Sequence, residues 1–314
     1  MSASFPAAVA LDEACKKGDT YSGLQMFKAV LQRKIRSGNE SGAHDLLDAG
    51  LLQAAVANMS VEVGSELCAG LLNLFKCFNH TGDEFVKKRL STVHNYLTQV
   101  EESHASPVWC EMHVKFLRDA LLWLQTVGAG DAYVADLNSN LCRAYLRLAH
   151  SRANARDGSS GSSNDEEAIC EALAAAYNTS HLCPSETQLI RSVASEVQER
   201  LTEAERPFLI ARTVYGVLSG MSRKSDVPQK VLLTSASTIL HDEGVSADAS
   251  ALSSFLHDVV QVMVEALPMQ VNASETQSHT HLVDALCNVY YPLLPVIRDL
   301  DWVALSRSIR CGGV

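Results

Sequence analysis

Apolar residues recur along this chain at spacings of three and four, the signature of helices that bury one face. Between residues 20 and 36, Leu24, Phe27, Leu31 and Ile35 fall in such a row, and up to Ala57 a second row holds Ala43, Leu46, Leu47, Gly50, Leu51 and Ala54. Ser37-Gly38-Asn39 separates the two rows and Gly18-Asp19 precedes the first. Gly tolerates the left-handed C-cap that closes a helix, and Asp or Asn can accept an N-cap bond. Residues 16–57 therefore read as one antiparallel helix pair. Ala43 and Gly50, a heptad apart, let a neighbouring helix come close. A single pair leaves a flank uncovered, so another must stack on it.

The same rhythm fills the rest of the chain. A short amphipathic helix fits 7–17, with Ala7, Ala8, Leu11, Ala14 and Cys15 on one side. Helices follow over 60–78, over 82–101 behind Gly82-Asp83, and from Ser106-Pro107 to the Gly128–Gly130 break, where Ser can cap and Pro suits the first helical position. Another covers 131–150. Residues 151–165 are rich in Ser, Gly, Asn and Asp and read as a flexible loop. Beyond it the pattern predicts helices at 165–179, 185–202, 204–220, 227–240, 250–267, 278–291 and 299–309. Ser185-Glu186-Thr187-Gln188 has capping-box form. Pro207, Pro228 and Pro268 sit where helices tolerate proline, and Pro292 and Pro295 end or kink the penultimate helix. Lys230-Val231-Leu232-Leu233-Thr234 comes nearest to a strand, but it lies inside a helical period. The expected fold is all-α: an irregular right-handed α-α superhelix of about thirteen or fourteen antiparallel helices, each ~15–20 residues long, a tetratricopeptide-like solenoid with no fixed repeat. It would run as one solenoid over 1–314, with halves at 1–150 and 166–314 joined by the 151–165 loop.

Composition agrees with packed helices: the 314 residues are 47% hydrophobic but only 6% aromatic. No run of about eighteen apolar residues is present, which predicts no membrane insertion. Met1 to Ala10 lacks the basic flank and apolar core of a secretory signal, so a cytoplasmic chain is expected. The nine cysteines are an odd number without metal-type clustering, which fits buried free thiols. Charge is uneven. Residues 1–37 hold six basic side chains against three acidic, leaving twenty against thirty-three in the remainder of a chain whose net charge is −10. An acidic body argues against nucleic acid as partner; its basic front end suits an acidic protein surface.

The motif Lys17-Gly18-Asp19-Thr20-Tyr21, followed by Gln25-Met26-Phe27 and then Ala43, Leu46, Gly50 and Leu51, resembles the first helix pair of the Get-four family. That family is the cytosolic scaffold subunit in guided entry of tail-anchored membrane proteins. The resemblance covers roughly residues 14–78. Thr20 replaces a Tyr of the family pattern and Ser22-Gly23-Leu24 replaces Glu-Ala-His, while the pattern continues past Cys311-Gly312-Gly313-Val314 into a further tail. The resemblance implies a non-enzymatic adaptor whose N-terminal half docks a targeting ATPase of the arsenite-ATPase-like family. Its C-terminal half would hold a ubiquitin-like-domain protein or a BAG-type scaffold. The expected ATPase contacts are Lys16, Lys17, Tyr21, Gln25, Arg33 and Arg36. Phe255, Val259, Met263, Leu282, Leu286 and Tyr290 are expected to line an apolar groove for the second partner.

Catalytic signatures are missing from the sequence. No phosphate-binding Gly-rich loop and no Gly-x-Ser-x-Gly elbow occurs. The candidate carboxylate pairs, Asp12-Glu13 and Asp165-Glu166-Glu167, are terminal or solvated, and the di-iron Glu-x-x-His arrangement lacks its second copy. His279-Thr280-His281 is the only close histidine pair, and alternate residues on a helix point apart, so neither metal nor cofactor is expected. His94, His113 and His257 read as partly buried helix residues. The alternative to the adaptor is a helical-repeat interaction subunit of another cytosolic complex.

Overall fold

Turn chemistry sets the helix ends. Gly18 and Gly38 take left-handed conformations, at φ +78° and +68°. Around Gly18 the Gly18 amide donates to the Cys15 carbonyl at 3.1 Å and the Asp19 amide to Ala14 at 2.9 Å, a closure that satisfies the last carbonyls of a helix. The same pair of bonds recurs at Gly38-Asn39, Asn79-His80 and Gly128-Ala129. Helix starts are capped in turn: Asn39 Oδ1 accepts from Gly42 N at 2.9 Å and Asp83 Oδ1 from Val86 N at 3.0 Å.

The computed structural model describes residues 5–56, 60–104, 106–157, 163–183, 185–221, 228–242, 250–266, 273–292 and 300–307. Among these the chain is helical throughout, without a strand. The helices are α1 (Pro6–Lys16), α2 (Thr20–Arg36), α3 (Glu40–Val56), α4 (Val61–Cys77), α5 (Glu84–His104), α6 (Pro107–Thr126), α7 (Asp131–Asp157), α8 (Ser163–Ser180), α9 (Thr187–Gln198), α10 (Arg206–Leu218), α11 (Gln229–Asp242), α12 (Ala251–Ala266), α13 (Ala273–Tyr290) and α14 (Trp302–Arg307), with a 3-10 turn at Ser219–Met221. Within each unit helices near in sequence pack on one another, such as α1 on α2, α6 on α7 and α12 on α13, a solenoid-like arrangement. None of them is long and apolar enough to cross a membrane. Their lengths range from 6 to 27 residues, wider than periodicity alone predicts.

Two expectations need correction. Residues 151–157 and 163–165 are helix, not loop. Ala153, Ala155, Arg152 and Arg156 are strong helix formers despite their polar neighbours. Arg152 also donates to the Ala168 carbonyl at 2.6 Å and to Glu111 at 2.8 Å, and Arg156 pairs with Glu166. Residues 158–162, the centre of the expected loop, lie outside the described residues, as do Pro268, Pro295 and Cys311. The capping box expected at 185–188 does not form, because α9 starts one turn position later with Glu186 as N-cap and no side-chain capping bond. Half of that arrangement appears before α10, where Glu205 Oε2 reaches back to accept from Thr202 N (2.9 Å) and also from Thr202 Oγ1 (2.7 Å).

The chain divides into two compact units, Met1–Ala172 and Leu173–Val314. In the first, α1 packs on α2 and α3, and α4 on α3 and α6. Small residues permit this. Gly23, one of the departures from the family pattern, faces Ala14 so closely that an added Cβ would lie 2.5 Å from the Ala14 methyl. At Gly50 a Cβ would meet the Phe27 ring at 2.9 Å, so Gly50 is where α2 and α3 approach, as its spacing suggested. In the second unit Phe255, Val259, Met263, Leu233, Val283 and Trp302 share one core.

Candidate docking surfaces

The exposed front of the first unit lies on α1 and α2. Lys16, Lys17, Gln25, Arg33 and Arg36 are exposed, and Tyr21 presents 75% of its surface to solvent. The helical period explains this, because Gly23, Leu24, Phe27 and Leu31 take the buried face. Tyr21, Gln25 and Arg36 fall along one strip of α2, with Arg33 about 60° round from Arg36. The charges are unequal in their freedom. Lys16 pairs with Asp12 at 2.7 Å, whereas Lys17, Arg33 and Arg36 enter none of the ion pairs among the described residues. Arg33, Lys34 and Arg36 also occupy the last turn of α2, where cations favour the helix dipole. Behind this front a cleft of about 360 Å³ opens between α2, α3 and α4, floored by Leu24, Phe27, Leu31 and Leu47 and crossed by a 2.7 Å Lys28–Glu66 ion pair.

The expected apolar groove is only half there. Phe255, Val259 and Met263 are fully buried and form the core under α12, so they cannot line a surface. A stripe at spacing four marks a buried face, and nothing in one helix says whether a neighbour or solvent-facing partner covers it. The groove of about 440 Å³ between α12 and α13 is lined by Val262, Leu282, Leu286 and Val289, with Asp258, Gln261 and Glu265 on its rim. Leu282 and Leu286 of the expected set do line it, and Leu282 is 49% exposed. Tyr290 sits beside the groove, its hydroxyl 3.3 Å from Asp258 Oδ2 and its ring on Phe255.

A buried polar network in the first unit escaped the sequence reading. Glu101, 5% exposed, accepts from His113 Nδ1 at 2.9 Å and from Arg147 Nε at 2.6 Å. His113 Nε2 lies 2.9 Å from His94 Nδ1. A signal existed: Glu101 stands four residues after Leu97 and His113 four before Leu117, so both occupy core phases of their helices. His257 is half-buried and His281 exposed, while the side chain of His279 lies outside what is described.

The network carries a pH dependence. Burial, and then the nearby His113 and Arg147, push the His94 imidazole down to about 4 from its ordinary value. The unfolded chain therefore takes up a proton near pH 6.5 that the folded chain refuses until about pH 4, and stability falls as pH drops across that window. A shift of that size is worth about 3 kcal/mol, reduced to about 1–2 kcal/mol because His94 is partly solvated. Unfolding free energies at pH 7 and pH 4.5 should differ by at least that amount, and the His94→Gln variant should lose about 1–2 kcal/mol of the difference.

No protein-family model matches this chain, and no curated protein matches it in sequence. The functional reading accordingly rests on the residues themselves: a basic, aromatic-bearing front at one end and an acid-rimmed apolar groove in the second unit.

Proposed function

We propose that this chain is a non-enzymatic cytoplasmic adaptor in the delivery of tail-anchored membrane proteins to the endoplasmic reticulum. It would bridge a targeting ATPase of the arsenite-ATPase-like family and a ubiquitin-like-domain or BAG-type co-chaperone. The observation that carries the reading is the exposed strip of Tyr21, Gln25 and Arg36 with Lys17 and Arg33, on an otherwise acidic chain, within the stretch that resembles the Get-four opening. An exposed Tyr with basic neighbours makes an anchor for an acidic protein surface. For the second partner, the groove residues become Val262, Leu282, Leu286 and Val289, with Asp258 and Glu265 selecting a basic amphipathic helix. An adaptor can promote client loading only by binding one nucleotide state of the ATPase more tightly than the other.

The test is affinity for the ATPase at low and high salt. Lys17→Glu with Arg36→Glu is expected to weaken binding about tenfold at low salt, by reversing two charges at the contact. The deficit should shrink as salt screens them. Unchanged binding at low salt would put the interface elsewhere. Recovery of subunits of another helical-repeat complex, with no ATPase among them, would favour the alternative reading.

A further inference from the structure

A second chemistry lies at the top of α3, away from the residues used for docking. Glu40 and His44 stand four apart and so share one face of the first turns of α3. His80 follows α4 in the turn before α5. Its position is fixed by Asn79, the only non-glycine with positive φ among the described residues, and by the His80 amide, which donates to the Phe75 carbonyl at 3.0 Å. One ligand-type atom from each of Glu40, His44 and His80 comes within 4.8 Å of the other two.

We propose that Glu40, His44 and His80 form a zinc-class divalent cation site, with a fourth position open to water. His44 is fully buried, yet both of its ring nitrogens lack a hydrogen-bond partner. A buried polar atom left unpaired is costly, and a bound cation would give one of these nitrogens its partner. His80 Nε2 lies 3.0 Å from Glu40 Oε1 without a hydrogen bond to it, so two ligand-type atoms already converge. The other His80 nitrogen, Nδ1, faces Asp83 Oδ2 at 3.6 Å. That carboxylate is held in place because its Oδ1 caps α5. A carboxylate behind a histidine is the arrangement that fixes the tautomer and leaves Nε2 bare for a metal.

The surroundings suit the same ion. The rings of Phe75, Phe78 and Phe85 stand 5.8, 6.4 and 5.0 Å from that of His44 and box its imidazole, while Glu40 on the exposed side leaves the fourth position open. Arg89, whose guanidinium lies 4.7 Å from the Phe85 ring centroid, is paired with Asp48. Two imidazoles and one carboxylate match the donor set of zinc, whereas calcium and magnesium take oxygen ligands.

The experiment uses the full chain, reduced and stripped with chelator, then titrated with Zn²⁺ against a chromophoric competitor and with Co²⁺ for its ligand-field bands. One saturable zinc per chain and a tetrahedral cobalt spectrum without thiolate charge-transfer bands are expected. H44F keeps a ring in the aromatic box and removes both nitrogens, and it should weaken zinc about 100-fold. Glu40→Gln, an exposed change that leaves the core alone, and Asp83→Asn should each weaken it about tenfold. The site is wrong if no saturable binding occurs. It is equally wrong if binding survives both H44F and Glu40→Gln, or disappears when the exposed Cys77 and Cys170 are changed to Ser. Should H44F fail to fold, Glu40→Gln decides.

Discussion

Glu101→Ala is expected to destabilise the first unit by about 3 kcal/mol. Glu101 is held between α5, α6 and α7 by the bonds from His113 and Arg147, and its side chain is only 3% exposed. Removing one partner of a buried charge pair costs about 3–5 kcal/mol, chiefly because the other is left without compensation. Arg147 is 28% exposed and can recover some water, which places the loss at the low end. His113 is wholly buried and has no such recourse. Replacing Glu101 and Arg147 together by Leu should restore much of the loss, since the unpaired charge goes with its partner. The chain offers a clean readout: of its three tryptophans, Trp109 and Trp123 lie in the first unit and Trp302 in the second. In a Trp302→Phe background, fluorescence during denaturation therefore follows the first unit alone. A Glu101→Ala midpoint equal to that of the parent would mean that the network contributes nothing.

Trp302→Ala should cost the second unit about 3–5 kcal/mol, the usual loss for deleting a fully buried aromatic. α14, described over six residues, is held in place by tertiary contacts with α13. Trp302 supplies them: its ring meets Phe255 at 5.4 Å and Tyr215 at 5.1 Å, both edge-on. Its indole Nε1 has no hydrogen-bond partner, so Trp302→Phe keeps most of the packing and removes an unpaired donor. That variant should lie within about 1.5 kcal/mol of the parent. Hydrogen exchange read over α12 and α13 distinguishes the two substitutions. Unaltered protection in Trp302→Ala would show that α14 does not anchor this core.

The helices themselves were legible because the forces that place them are local. A period of three and four, a Gly or Asn able to go left-handed and a Pro in the first turn act within a few residues of one another. Hence Gly18, Gly38, Asp83 and Pro107 marked real ends, and Gly50 marked a real close approach. The 151–157 segment misled because Ser, Gly, Asn and Asp dominate the composition of the 151–165 stretch as a whole. What holds it helical is the reach of Arg152 and Arg156 to Ala168, Glu111 and Glu166.

By itself, then, the sequence determined that the chain is all helix, where most helices begin, which face of each is apolar, and that its front end is basic. Only the tertiary structure decided what those faces meet. Phe255, Val259 and Met263 became core while Val262 and Val289 took the groove, because the rotation of α12 against α13 is set by both helices together. Glu101 with Arg147, and Glu40 and His44 with His80, meet across 46 and at least 36 positions of chain. No periodicity within a single helix encodes such a meeting; it exists only once the helices have packed.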